Sequence, residues 1–327
     1  MKANDPKTTS SAKSENVQPV ISVAPFKLHV LGRRAELEVR ISIPLSGDEL
    51  PVIIFAHGFG SSMDAYTPLV NYWAARGFAV IQPTFLDSRK YARQHHADHG
   101  DAVKAFLADP ESKKIWHQRI TDVKAVHEQL DLIEASYPVL KGRFDKNLIT
   151  AVGHSFGAHT VASLLGAGTV VADASQAEDY KDERIKAGIL LSAAGRRGNA
   201  LSTFAIEHFP YLNTDYSTMT TPALVVAGDQ DHSPLTVLGP EWFTDAYHLS
   251  PGADALLTLA GGEHMLGGIS GVLVKETTDE DPDRVSIVQQ VTFAYLRSFN
   301  GDSSPLWEDI CHEYSPDGSR AGKIETK

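Results

Sequence analysis

The chain has 327 residues, 42% of them hydrophobic, with one cysteine and a formal net charge of −11. That is enough apolar material for one large core with loop insertions, and the acidic balance argues against nucleic acid or an anionic membrane surface, both of which need clustered Lys and Arg. One cysteine excludes an intramolecular disulfide, no apolar run nears the roughly 20 residues of a membrane span, and residues 1–20 lack the apolar stretch of a signal peptide, so the expected location is cytoplasmic.

Residues 1–22 are polar and rich in Ser and Lys, and read as a disordered tail; 23–302 read as one domain and 303–327 as a polar tail, loose from about Ser315. Between Phe26 and Ile43 apolar and polar residues alternate, which predicts one or two antiparallel strands. Pro51–Ala56 is a buried strand, Tyr66–Arg76 a helix stopped by Gly77, and Phe78–Pro83 the next strand. Ile115, Ile120, Val123, Val126, Leu130 and Ile133 follow a 3.6 period, predicting one long helix over Ile115–Ser136. Strands over 147–153, Ala187–Leu191, Pro222–Ala227 and Ala255–Ala260, a helix over 156–166 and a last helix over Gln289–Phe299 complete the series. Alternating strands and helices make an α/β fold: a mainly parallel central sheet with helices on both faces.

Four loops after strands carry the chemistry. Gly153-His154-Ser155-Phe156-Gly157 follows the strand at 147–153, and its glycines allow the tight strand-to-helix turn that exposes a serine hydroxyl. His57-Gly58-Phe59-Gly60 follows Pro51–Ala56 and suits half of an oxyanion hole; the two backbone N–H donors are assigned to Phe59 and to Phe156. Gly228-Asp229-Gln230-Asp231 offers two carboxylates. Asp231 is favoured as the acid of a triad, because Asp229 suits the turn itself. His264, on the Gly-rich loop after the last strand, is the expected base. No cofactor or metal is implied.

Two connections are too long to be simple loops. Residues 84–114 and 192–219 both follow strands, so both emerge at the carboxyl edge where ligands bind in open α/β sheets. Phe204, Phe209 and Tyr211 in the second are expected either as walls of an apolar pocket, together with Phe59, or as a satellite core under a loop. His95 and His99 would share a helix face, but without a third ligand in view they read as polar surface. His154 reads as a structural histidine within the turn, and His159 as packing locally.

The order Ser155, Asp231, His264 resembles that of the α/β-hydrolase superfamily, over roughly residues 25–300. The Ser155 pentapeptide is similar to that of platelet-activating-factor acetylhydrolases. The turn at 57–60 and the Gly228-x-x-Asp231 acid are similar to those of chlorophyllase-like and dienelactone-hydrolase-like esterases. Two departures stand out: plant chlorophyllases carry Arg after the serine, where Phe156 stands here, and dienelactone hydrolases use a cysteine nucleophile, whereas the sole cysteine here is Cys311. The chain also looks like the esterases carried on bacterial resistance gene cassettes, which implies a macrolide lactone as substrate. Together the resemblances imply a serine esterase with cap or lid insertions at the carboxyl edge and a small-molecule ester or lactone as its partner. An amidase or peptidase on the same triad, and a binding protein on the same fold, remain the alternatives; the sequence leaves the oligomeric state open.

Overall fold

A computed structural model describes residues 17–92, 99–169, 179–299, 305–315 and 320–327. In chain order its strands are β1 (Val20–Leu28), β2 (Leu37–Pro44), β3 (Leu50–Ala56), β4 (Ala79–Pro83), β5 (Phe144–His154), β6 (Gly168–Thr169), β7 (Ile185–Leu191), β8 (Thr214–Asp215), β9 (Ala223–Gly228), β10 (Ala253–Leu259) and β11 (Gly322–Thr326). The helices are α1 (Thr67–Ala74), α2 (His99–Ala108), α3 (Ser112–Glu128), α4 (Leu130–Ser136), α5 (Phe156–Leu164), α6 (Thr203–His208), α7 (Asp245–Leu249), α8 (Pro282–Ser298) and α9 (Leu306–Glu313). Among the described residues, one nine-stranded sheet runs β1-β2-β4-β3-β5-β7-β9-β10-β11, while β6 and β8 pair separately. It is parallel from β4 to β10, and β1, β2 and β11 run antiparallel to their neighbours.

Alternation within β3 shows why its sequence is apolar throughout. Val52, Ile54 and Ala56 point into a core shared with Ile115, Ile120 and Val123 of α3 and Val161 of α5. Ile53 and Phe55 point the other way, onto Leu69 and Trp73 of α1 and Val288 and Val291 of α8. A parallel strand covered on both faces has no solvent side to keep polar. Each Val, Ile or Phe side chain so buried contributes about 1.5–3 kcal/mol. The chain passes from β3 to β4 on one side and then to β5 on the other, so the order of the sheet reverses between β3 and β5. Open α/β sheets bind ligands beside such a switch.

Several boundaries differ from the sequence expectation, three of them for reasons the contacts show. The helix over Ile115–Ser136 is two helices, broken at Gln129 (φ −107, ψ 16), whose side-chain amide bonds both Ala125 O within the helix and His29 O outside it. The helix expected from Gln289 begins at Pro282, because the Asp281 side chain caps it by accepting from the Asp283 and Arg284 N–H groups. The end of the chain is not a loose tail: α9 packs on α8, and β11 pairs with β10 with Ile324 buried. Residues 1–16 of the expected N-terminal tail lie outside the described residues, and β1 begins at Val20. No helix among the described residues is long and apolar enough to cross a membrane.

Candidate active site

β5 ends at His154 and α5 starts at Phe156, leaving Ser155 between them at φ 55, ψ −118. A non-glycine residue in so sparsely populated a region costs on the order of 1–3 kcal/mol. The surroundings impose it: Ser155 N–H donates to Leu191 O at the end of β7 (2.9 Å), and Ser155 O accepts His159 N–H (3.1 Å). The flanking glycines are required by close approach. A Cβ on Gly153 would sit 2.2 Å from Gly157 O, and one on Gly157 would sit 1.9 Å from Ala56 O. Backbone-to-backbone contact therefore sets the start of α5 against the end of β3.

Asp231 and His264 reach Ser155 from the loops after β9 and β10, across β7. Asp231, three residues past β9, is fully buried. His264 Nδ1 lies 3.1 and 3.0 Å from its two carboxylate oxygens, and His264 Nε2 lies 2.8 Å from Ser155 Oγ. A carboxylate can only accept, so Nδ1 carries the proton and Nε2 is left to accept from the serine hydroxyl. Asp229 is exposed and accepts the Gly261 N–H at 2.7 Å, which ties the β9 turn to the β10 turn.

The turn after β3 is fastened on both sides of Phe59. Gly58 N–H donates to Tyr66 Oη (3.0 Å) and Gly60 N–H to Asp87 Oδ2 (3.2 Å). Asp87 in turn accepts from Arg119 Nη1 (3.1 Å), while Arg119 Nη2 donates to His57 O. Phe85 N–H donates to His57 Nε2 (3.1 Å), so the His57 proton sits on Nδ1, where it meets Gly58 O (2.7 Å). Burial, with the Arg119 charge nearby, pushes the His57 pKa down to about 4 and keeps the ring neutral. The Arg119 guanidinium lies 4.1 Å from the Phe85 ring and 4.3 Å from the Phe156 ring, so through His57 O and the Phe156 ring it touches both segments assigned as oxyanion donors. Sequence reading missed this ion pair. Its signal was a charge within the apolar stripe of α3, between Ile115 and Ile120.

Ser155 and His264 open onto a cavity of about 1040 Å³, also lined by Phe59, Phe204, Phe209 and Tyr211. Both long connections contribute, the first through Ser88, Val103 and Leu107 among others. Tyr211 fills both roles left open above: it is buried, stacked on Phe156 at 5.4 Å, and it lines the cavity. His159 Nε2–H holds it by donating to Tyr211 O (2.9 Å), with the ring pKa pushed by burial to about 4. Phe209 meets Tyr211 and Phe204 edge-on at 5.9 and 5.7 Å. Leu235, after β9, and Leu273 and Val274, in the loop before α8, complete walls that the sequence reading did not assign. Of the histidine cluster, His95 and His96 lie outside the described residues, whereas His99 opens α2 with its ring edge-on to Phe59.

Comparison with known proteins agrees with this architecture. A platelet-activating factor acetylhydrolase of Cavia porcellus is 26% identical over 168 residues, which covers 45% of this chain and 35% of that protein. The match thus spans about a third of the relative's length. The profile of the alpha/beta hydrolase family matches residues 53–309, from within β3 to within α9, taking in the strands whose ends carry Ser155, Asp231 and His264. The chain belongs to the alpha/beta hydrolase family.

Proposed function

We propose that the protein is a serine hydrolase of carboxylic esters. The observation that carries this reading is the continuous hydrogen-bonded series from the buried Asp231 carboxylate through His264 to Ser155 Oγ, at the floor of an apolar cavity. Ser155 Oγ attacks the ester carbonyl while His264 Nε2 takes its proton. The Phe59 and Phe156 N–H groups hold the charge that develops on the carbonyl oxygen, each worth about 2.7–4 kcal/mol of barrier. Collapse of the intermediate expels the alcohol, protonated by His264, and leaves an acyl group on Ser155. Water, deprotonated by the same ring, then releases the acid, and Asp231 holds the tautomer throughout.

The cavity, about 1040 Å³ and walled by Phe204, Phe209 and Tyr211, favours a bulky and largely apolar ester or lactone over an acetyl ester. A macrolide lactone belongs to that class. The acetylhydrolase relative supports ester chemistry but covers too little of either chain to choose the acyl group.

A fluorophosphonate probe is expected to label the wild type and not Ser155→Ala. The variant should lose at least about 10⁴-fold in kcat with its unfolding midpoint nearly unchanged. Near wild-type turnover in Ser155→Ala would overturn the mechanism. Faster cleavage of an amide than of its matched ester would make the protein an amidase on the same triad.

A further inference from the structure

Tyr66 and His154 are both buried, and neither has a part in the steps above. Tyr66 precedes α1 at φ 64, with its N–H held by Ser270 O at 2.9 Å. Its Oη accepts the Gly58 N–H at 3.0 Å and lies 2.9 Å from His154 Nδ1. His154 Nε2 lies 2.8 Å from the backbone oxygen of His264, which also accepts from Ser192 Oγ at 3.1 Å. The two ends fix every proton between them. A backbone N–H only donates and a carbonyl only accepts, so His154 carries its proton on Nε2, and Nδ1 of the neutral ring accepts from the Tyr66 hydroxyl. Burial keeps the ring neutral, with its pKa pushed down to about 3. The junction has no spare room: a Cβ on Gly58 would lie 2.9 Å from Tyr66 Oη and 3.1 Å from His154 Nδ1.

The chain of bonds joins two loops whose strands do not pair with each other. β3 and β10 are separated by β5, β7 and β9, so no single strand ladder sets the distance from the Phe59 turn to the His264 loop. We propose that Tyr66 and His154 are positioning residues, whose one-way hydrogen-bonded chain from Gly58 N–H to His264 O holds the oxyanion turn and the general base at one spacing across Ser155. The proposal rests on the reading of Ser155, His264 and Asp231 given above.

Two substitutions cut the chain at different links. Tyr66→Phe removes the hydroxyl. His154→Asn keeps an acceptor for Tyr66 but lacks the atom that reaches His264 O. With active sites counted by fluorophosphonate, each is expected to lower kcat on an activated bulky ester by about 10- to 100-fold, the scale of a small misplacement of reacting groups. KM should stay within about twofold, and the double variant within about twofold of the worse single, because a broken chain cannot be broken again. His154→Gln, which restores a donor toward His264 O, should recover part of the loss. Nitrogen-15 NMR of the wild type should show His154 protonated on Nε2, with Nδ1 accepting a hydrogen bond that Tyr66→Phe abolishes. Unchanged kcat per active site in both single variants, losses that multiply in the double, or a wild-type spectrum with the proton on Nδ1 would each overturn the proposal, and the last needs no variant to fold. Failure of the underlying reading looks different: the wild type would not be labelled at Ser155.

Discussion

The floor of the cavity and its upper walls are built in different ways. On the floor, Gly157 touches Ala56 backbone to backbone, Gly60 N–H meets a buried Asp87–Arg119 pair, and Ser155 is held at a strained angle by bonds on both sides. In the walls, Phe204, Phe209 and Tyr211 meet ring on ring, and Phe204 and Leu273 are 38% and 66% exposed. Contacts of the first kind have one solution. Ring contacts of the second kind are worth about 0.5–1.5 kcal/mol each and can be remade in several ways. The groups proposed to react are fixed by backbone and buried charge, whereas the shape of the cavity rests on side chains that can re-pack.

Substitutions on either side should sharpen that contrast, and the floor should give the larger effects. Asp231→Asn is expected to lower kcat by about 10⁴-fold by favouring the wrong tautomer of His264. Asp229→Asn, whose carboxylate accepts from the Gly261 N–H and from the neighbouring Gln230 Nε2, should shift stability with kcat nearly intact. Steady-state kinetics of the two would move the acid by two residues if their outcomes were exchanged. Arg119→Met leaves the Asp87 carboxylate buried without its partner and should destabilise by about 3–5 kcal/mol in urea unfolding. Adding Asp87→Leu should recover much of the stability but not the activity, since the Gly60 N–H still loses its acceptor; equal recovery of both would show that the pair serves only the core.

A third test reads the buried histidines through pH. Burial lowers the pKa of His159 from 6.5 to about 4, so below pH 6.5 the unfolded chain binds a proton that the folded chain refuses. The stability His159 contributes is complete above pH 6.5 and is lost as pH falls toward 4, about 3 kcal/mol over that window. His57 and His154 act with the same sign. Urea midpoints measured from pH 7.5 to 4.5 should fall steadily, less steeply in His159→Gln; parallel slopes would place the titration elsewhere. The smallest effect belongs to the wall. Phe209→Ala should raise KM for a bulky ester about tenfold, near 1.4 kcal/mol of lost apolar contact, and leave an acetyl ester nearly unchanged. Equal rises for both esters would remove Phe209 from the binding surface.

The parts legible in the sequence were those with local signatures: apolar β-branched runs for β3, β5, β9 and β10, and the glycine-flanked turns that follow them. Their order in the chain was enough to select Ser155, Asp231 and His264 for a site that the fold brings within hydrogen-bond distance. What escaped depends on partners distant in sequence. Gln129 ends α3 with an ordinary helix-forming residue, because His29 O offers its amide a second bond. β11 carries one buried apolar residue, Ile324, among polar neighbours, and it is a strand because β10 offers it a ladder. The start of α8 was in plain view, as Asp281 before Pro282, the cap signal that the expected Gln289 boundary passed over. Arg119 was visible only as an anomaly in the α3 stripe, and its partner Asp87 is 32 residues away in the loop after β4.

β11 also bears on how the molecule behaves in a test tube. It occupies the free hydrogen-bonding side of β10, from Ala255 to Leu259, and Lys327 Nζ bonds the Tyr247 and Ser250 carbonyls beside it. A chain clipped before Gly322 would keep every residue of the cavity, yet would bare a row of unsatisfied amides along an apolar strand. Such a row is a template for another molecule to pair with. Protease nicking of this short terminal segment would therefore show first as turbidity on storage at high concentration, and only later as lost turnover.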